Sequence, residues 1–269
     1  MIRKLTAALF AFGLMGAAPA PDWRPLDPEN LLVIDTTKGR IIVEMAPSMA
    51  PRAVARVKLL AREGVYDGLQ FHRVIEGFVN QTGNPNNRDG GVSRHPDLPL
   101  EATFKLEIAG YRAVAAPSDG TVGFLGAVPI ATVSGQEALR SKDGTIRAWG
   151  AYCPGVAGMG RQAAETTANS EIFFMRGSSR RLDRDYTVWG RIVVGGDVNG
   201  LIAVGEPPAA PDRMLKVRVA ADMPAAERPR LSIRNPESPA FRTLVRQTRM
   251  AKGADFSICD LEVPVRVEP

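Results

Sequence analysis

The sequence predicts a mainly-β protein built as one large domain with appendages. Twenty-six Gly and twenty-one Pro in 269 residues favour turns and short strands over a helical bundle. Apolar runs of strand length recur with Gly-rich connectors, the pattern of a sandwich or barrel. Through most of the chain only one stretch carries strong helical spacing. Composition excludes other classes. With 45% hydrophobic and 23% charged residues the chain is too apolar and too balanced for disorder. Two cysteines cannot form a disulfide-dense mini-domain or a four-cysteine zinc site. No uninterrupted apolar run reaches the ~18 residues that span a bilayer.

In chain order, Arg3 and Lys4, the apolar run Leu5 to Met15 and the small residues Gly16 to Ala20 have the layout of a secretory signal peptide over residues 1–20. The competing reading, a buried N-terminal helix, lacks a polar face. Ala18-Pro19-Ala20 has the small-x-small form of a cleavage site, although Pro21 follows it. Removing residues 1–20 lowers the net charge from +5 to +3, so the basic balance is a poor argument for a nucleic-acid partner. Export to a periplasm is expected, and it makes a disulfide permissible.

After a Pro-rich lead (Pro21 to Pro28), Leu31–Ile34 and Ile41–Val43 read as strands joined by turn residues Thr37-Lys38-Gly39. A helix follows, with Pro51 in its first turn, Val54, Val57, Leu60 and Ala61 at helical spacing, and Gly64 as its stop. Strands are expected at Phe71–Ile75, Phe78–Gln81, Val122–Ala127, Val156–Met159, Glu171–Met175, Val188–Val194 and Leu215–Val219. Residues 105–152 read as a long inserted loop of polar, Gly-punctuated turns. The 222–269 extension is Pro-rich and holds one short helix, capped by Ser238-Pro239. Its apolar stripe is Phe241, Leu244, Val245 and Thr248. Its basic face, Arg242, Arg246 and Arg249, either meets anionic lipid or is a solvated face over a docked stripe.

Few chemistries are open to this chain. There are two histidines, His72 in a strand and His95 in a loop, and no Gly-x-Ser-x-Gly elbow or His-Glu-x-x-His pair. A Cys–His enzyme using Cys153 or Cys259 has no supporting pattern. Gly90-Gly91 lacks the Lys-Ser/Thr of a phosphate loop. No metal site and no cofactor are expected.

The informative segment runs from Tyr66 to Gly83 and contains Phe71-His72-Arg73-Val74-Ile75-Glu76-Gly77-Phe78-Val79-Asn80-Gln81. It resembles the signature of the cyclophilins, which are peptidyl-prolyl cis–trans isomerases. Four further blocks are similar to that family in order and spacing. They are the helix in Ala50–Gly64, Gly155–Met159, Ala168–Phe174, and Leu182-Asp183 with Tyr186–Gly190. The resemblance covers residues 31–221, with 105–152 inserted. It implies a closed eight-stranded antiparallel barrel capped by two helices, acting on proline-containing unfolded or flexible polypeptides, and expected as a monomer. It assigns Arg73 to the catalytic guanidinium, Gln81 to its polar partner, and Phe78, Val79, Phe173 and Leu182 to the proline pocket. Gly160, Glu171 and Tyr186 map to substrate-binding positions, and His72 packs away from the pocket.

Departures from the family pattern bear on specificity. Val79 stands where methionine is usual. Glu171 replaces a frequent glutamine and adds a negative charge near Arg73 and the substrate. Gly160-Arg161 replaces Ala-Asn, Arg181 aligns with the tryptophan of cyclosporin-sensitive members, and Tyr186 replaces a histidine. Weak cyclosporin binding is therefore expected. Glu171 and Arg161 also motivate a second reading, a non-catalytic module that binds proline peptides in the same groove. Cys153 and Cys259 are either a disulfide tying the tail to the barrel or two buried thiols.

Overall fold

The computed structural model describes residues 21–83, 93–117 and 120–268; the leader at 1–20 lies outside the described residues. The strands are β1 (Trp23–Pro25), β2 (Leu31–Thr36), β3 (Gly39–Met45), β4 (Arg73–Ile75), β5 (Val79–Thr82), β6 (Phe104–Glu107), β7 (Ala113–Ala115) and β8 (Thr121–Leu125). They continue with β9 (Val128–Thr132), β10 (Thr145–Gly150), β11 (Val156–Met159), β12 (Ile172–Met175), β13 (Val188–Val194), β14 (Met214–Val219), β15 (Leu231–Arg234) and β16 (Val265–Val267). The helices are α1 (Pro51–Arg62), α2 (Gly135–Ala138), α3 (Gly196–Leu201) and α4 (Pro239–Lys252).

Eight strands form one curled sheet in the order β14-β2-β3-β13-β11-β12-β5-β4. The expected barrel is not closed. β14 and β4 share no ladder; isolated bridges Gln70–Arg213 and Val74–Gly205 span the gap instead. The stretch that would complete the ladder contains Pro207, Pro208 and Pro211, which have no N–H to donate. The pair of capping helices is also unequal. α1 has twelve residues and buries Val54, Val57 and Leu60, whereas α3 has six. Pro51 opens α1, and the carboxylate of Glu101 accepts from the exposed N–H groups of Arg52 (3.1 Å) and Ala53 (2.9 Å), supplying the cap that Ala50 cannot.

The region expected as a long loop is a second, five-stranded sheet, β6-β10-β9-β8-β7. Its β8–β9 hairpin turns at Gly126, whose φ of 60° suits glycine, so the run Val122–Ala127 is a strand and the start of a turn rather than one strand. The tail forms a third sheet, β1-β15-β16, in which the Pro-rich lead supplies edge strand β1. The helix expected to be short, α4, has fourteen residues and is the longest described. Ser238 caps it by accepting from Phe241 N–H. Phe241 is buried edge-on to Phe124 at 5.5 Å, while Arg242 and Arg246 face solvent.

The curled sheet is buried on both faces. Side chains alternate along each strand, so Leu32 and Ile34 of β2, Phe174 of β12 and Trp189 of β13 join α1 in one core. Leu31, Val33, Phe173 and Val188 join a second core with Phe124, Ile130 and Trp149 of the insertion and Phe241, Ile258 and Leu261 of the tail. This double burial explains the near-continuous apolar runs of β2 and β3, unusual for antiparallel strands. A Cys153–Cys259 disulfide ties the tail to the segment before β11.

Candidate active site

A single row of cross-strand partners organises the site. Arg73 on β4 pairs with Gln81 on β5, Gln81 with Phe173 on β12, and Phe173 with Gly158 on β11. Direct partners across antiparallel strands share a face, so these four positions project to one side. Arg73 Nη1 donates to Gln81 Oε1 at 3.0 Å, and Arg73 Nε lies 3.6 Å from a carboxylate oxygen of Glu206. The guanidinium is thus held from two sides while about a third of the side chain stays exposed. Phe78 sits in the β4–β5 turn, where its N–H donates to Ile75 O at 3.0 Å. The turn is held from below by Arg176, which donates to Glu76 (2.6 Å) and to the Asn80 side chain (3.1 Å).

The Phe173 ring is fixed by its neighbours. Tyr152 stacks on it at 5.9 Å and Tyr186 meets it edge-on at 6.0 Å. Gly158 leaves room for it, since a Cβ there would fall 2.3 Å from Phe173 Cζ. Asp183 fixes Tyr152 by accepting from its backbone N–H at 3.0 Å, and it also accepts from Arg180 at 2.6 Å. Burial raises the Asp183 carboxyl above the usual range, and Arg180 offsets only part of that.

All nine predicted site residues border one cavity of about 540 Å³: Arg73, Phe78, Val79, Gln81, Gly160, Glu171, Phe173, Leu182 and Tyr186. The cavity has an apolar wall of Phe78, Val79, Phe173 and Leu182 beside the polar pair Arg73–Gln81. One expectation needs correction. Glu171 presents its stem, not an exposed charge: its side chain is 2% exposed, packs on Gly160, and its carboxylate lies 3.5 Å from His72 Nε2. Arg161 is likewise turned to structural use, stacking on Tyr186 at 4.5 Å and donating to Asp185 at 3.0 Å. Tyr152, Gly158 and Glu206 were not anticipated from the sequence. A glycine inside the Val156–Met159 strand was the available signal for Gly158, because such a glycine marks a close approach. Glu206 lies in a Pro-rich loop and carried no signal.

Among the described residues no three metal-ligating side chains cluster. A protein-family model described as "Cyclophilin type peptidyl-prolyl cis-trans isomerase/CLD" matches residues 31–219. The chain belongs to this family. It is 30% identical over 234 residues to a "Probable peptidyl-prolyl cis-trans isomerase" of Brucella suis biovar 1, covering 81% of this chain and 95% of that one. A Helicobacter pylori (strain J99) peptidyl-prolyl cis-trans isomerase is 48% identical over 62 residues, 23% of this chain and 38% of that one. The crystal structure of cyclophilin AquaCyp293 from Hirschia baltica superposes with a TM-score of 0.83 at 31% identity, over 91% of this chain and 93% of that one. That likeness extends past the cyclophilin core, since a 91% match takes in more than residues 31–219.

Proposed function

We propose that this cyclophilin rotates X–Pro bonds in exported polypeptides, with Arg73 stabilising the twisted amide. Rotation breaks amide resonance over a barrier of ~18–20 kcal/mol and needs no covalent step. In the twisted state the prolyl nitrogen regains a lone pair and accepts a hydrogen bond. A guanidinium beside it binds that state more tightly than either planar ground state, which is the requirement for catalysis. One charge-assisted hydrogen bond is worth roughly 1.5–3 kcal/mol, whereas a 10⁵-fold acceleration needs about 7 kcal/mol. The remainder falls to the Phe78/Val79/Phe173/Leu182 wall, which grips the proline ring while the flanking backbone turns, and to Gln81, which orients Arg73 and the substrate backbone.

The observation that carries the reading is the 3.0 Å Arg73–Gln81 bond set in register with Phe173 on one cavity. The binding-module alternative drew on Glu171 and Arg161, and both are committed elsewhere, to His72 and Asp185. Exchange spectroscopy on a proline peptide separates the two readings. Wild type is expected to accelerate cis–trans exchange, and Arg73→Ala to lose about 10- to 150-fold with an unchanged melting curve, from the hydrogen-bond energy above. Equal rates for the two proteins reject the mechanism. Export is supported by the signal-like leader and by the Cys153–Cys259 disulfide, which suits an oxidising compartment. Cell fractionation with N-terminal sequencing of the mature chain tests it, and a cytosolic chain with an intact leader rejects it.

A further inference from the structure

Around the cavity, the acids nearest the rim are already committed. Glu171 is buried at His72, Asp185 accepts from Arg161, Asp183 from Arg180 and the Tyr152 N–H, and Glu206 lies at Arg73. Arg181 is the exception among the charges. It borders the cavity, is exposed, and has no carboxylate within ion-pair distance among the described residues. Its Nε donates to Ser179 Oγ at 3.3 Å, and its guanidinium lies 5.3 Å from the centre of the Phe78 ring. Stacking on that ring holds the cation over the proline wall at reduced conformational cost. An uncommitted, pre-positioned guanidinium beside the proline slot reads the charge of whatever side chain flanks the proline.

We propose that Arg181 makes this enzyme select acidic segments, pairing with an Asp or Glu that flanks the substrate proline. The inference rests on the isomerase reading above and adds a substrate class to it. An ion pair at an exposed rim is modest and screened by salt, so the expected preference is about threefold. The test uses peptides Ala-Ala-Xaa-Pro-Ala-Phe and Ala-Ala-Ala-Pro-Xaa-Phe with Xaa as Glu, Ala or Lys. Catalysed exchange rates are normalised to each peptide's uncatalysed rate at low and high NaCl. Wild type is expected to favour Glu over Lys about threefold in at least one series, with the ratio falling towards one in high salt. Arg181→Lys should keep the sign of the preference, Arg181→Gln should abolish it, and Arg181→Glu should invert it. A wild-type ratio of one, or a ratio unchanged in Arg181→Gln, overturns the proposal. The Ala peptides keep the two claims apart: if wild type fails to accelerate them, the isomerase reading falls, whereas acceleration without a Glu/Lys preference sinks only the role of Arg181.

Discussion

On the α1 face of the curled sheet, Trp189, Phe174 and Leu60 pack among buried residues that all lie within 32–219. On the opposite face, Phe173, Val188 and Leu31 meet Phe124 and Trp149 from the insertion and Phe241 and Leu261 from the tail. The first face draws its buried residues only from the stretch that the cyclophilin family model matches. The second carries the candidate site, and its packing also draws on the five-stranded sheet and on the tail. Tyr152, which backs Phe173, precedes the disulfide cysteine Cys153, so the candidate site and the tail are braced through adjacent residues.

The contrast predicts different failures. Trp189→Ala empties a fully buried site in the α1-side core and is expected to cost about 3–5 kcal/mol, lowering the stability of the whole chain in urea. Phe241→Ala should cost less, because α4 can shift into the space, and should release the tail before the sheet. Equal and fully cooperative losses for both variants would refute the distinction. Removing the disulfide with Cys153→Ser and Cys259→Ser together opens a span with a sequence separation of 106 and is expected to cost roughly 2–4 kcal/mol. Hydrogen exchange should rise across residues 231–267 while α1 and β13 keep their protection. A uniform rise would mean that the two faces melt as one unit.

Legibility in the sequence followed the same divide. The α1 face was readable because its strands and its one long helix are local patterns: Val54, Val57 and Leu60 repeat at helical spacing, and Val188–Val194 and Val156–Met159 keep strand length. The nine positions expected at the site border one cavity, because they sit in contiguous blocks on or beside neighbouring strands. The insertion was misread because polar outward positions and glycine turns mask strands whose partners lie far away, such as β6 with β10. The Pro-rich lead shows no strand signal of its own, because Trp23–Pro25 is a strand only beside β15, some two hundred residues later. Barrel closure failed on Pro207, Pro208 and Pro211, a local signal outweighed by the resemblance. Glu171 borders the cavity as expected, but its charge was assigned from position alone, without the buried His72 beside its carboxylate.

Gly158 lies on the site-bearing face, directly opposite Phe173. An added methyl would meet Phe173 Cζ at 2.3 Å, and the ring cannot swing freely between Tyr152 and Tyr186. Gly158→Ala is expected to cost about 1–3 kcal/mol by overpacking. Its larger signature is functional: peptide exchange should slow about tenfold, mainly by weaker binding as the Phe173 ring is displaced, while Arg73 is untouched. An unchanged KM would show that the slot tolerates a moved ring.

The smallest expected effect lies where the covering ends. The opposite face of β2 runs Leu31, Val33 and then Asp35, which leaves the covered core and instead accepts from Arg40 at 2.6 Å and Arg218 at 2.7 Å. Burial alone would raise the Asp35 carboxyl, but the hydrogen bonds and charges of the two arginines outweigh it and hold the pKa below 3.8. The folded chain therefore keeps this proton off longer than the unfolded chain does. The stabilisation is complete above about pH 4 and is lost as pH falls through the lowered folded value. Partial exposure of all three side chains limits it to about 0.5–1 kcal/mol. Asp183, on the covered face, titrates with the opposite sign: its raised folded pKa means the folded state takes up the proton first, so acidification favours folding there. Urea titrations of wild type and Asp35→Asn from pH 7 to pH 2 isolate the first effect, because Asp183 is common to both. The two stabilities should differ at pH 7 and converge towards pH 2. Parallel curves would mean that the uncovered end of this face is held by its strand ladders alone and that the Arg40–Asp35–Arg218 cluster adds nothing.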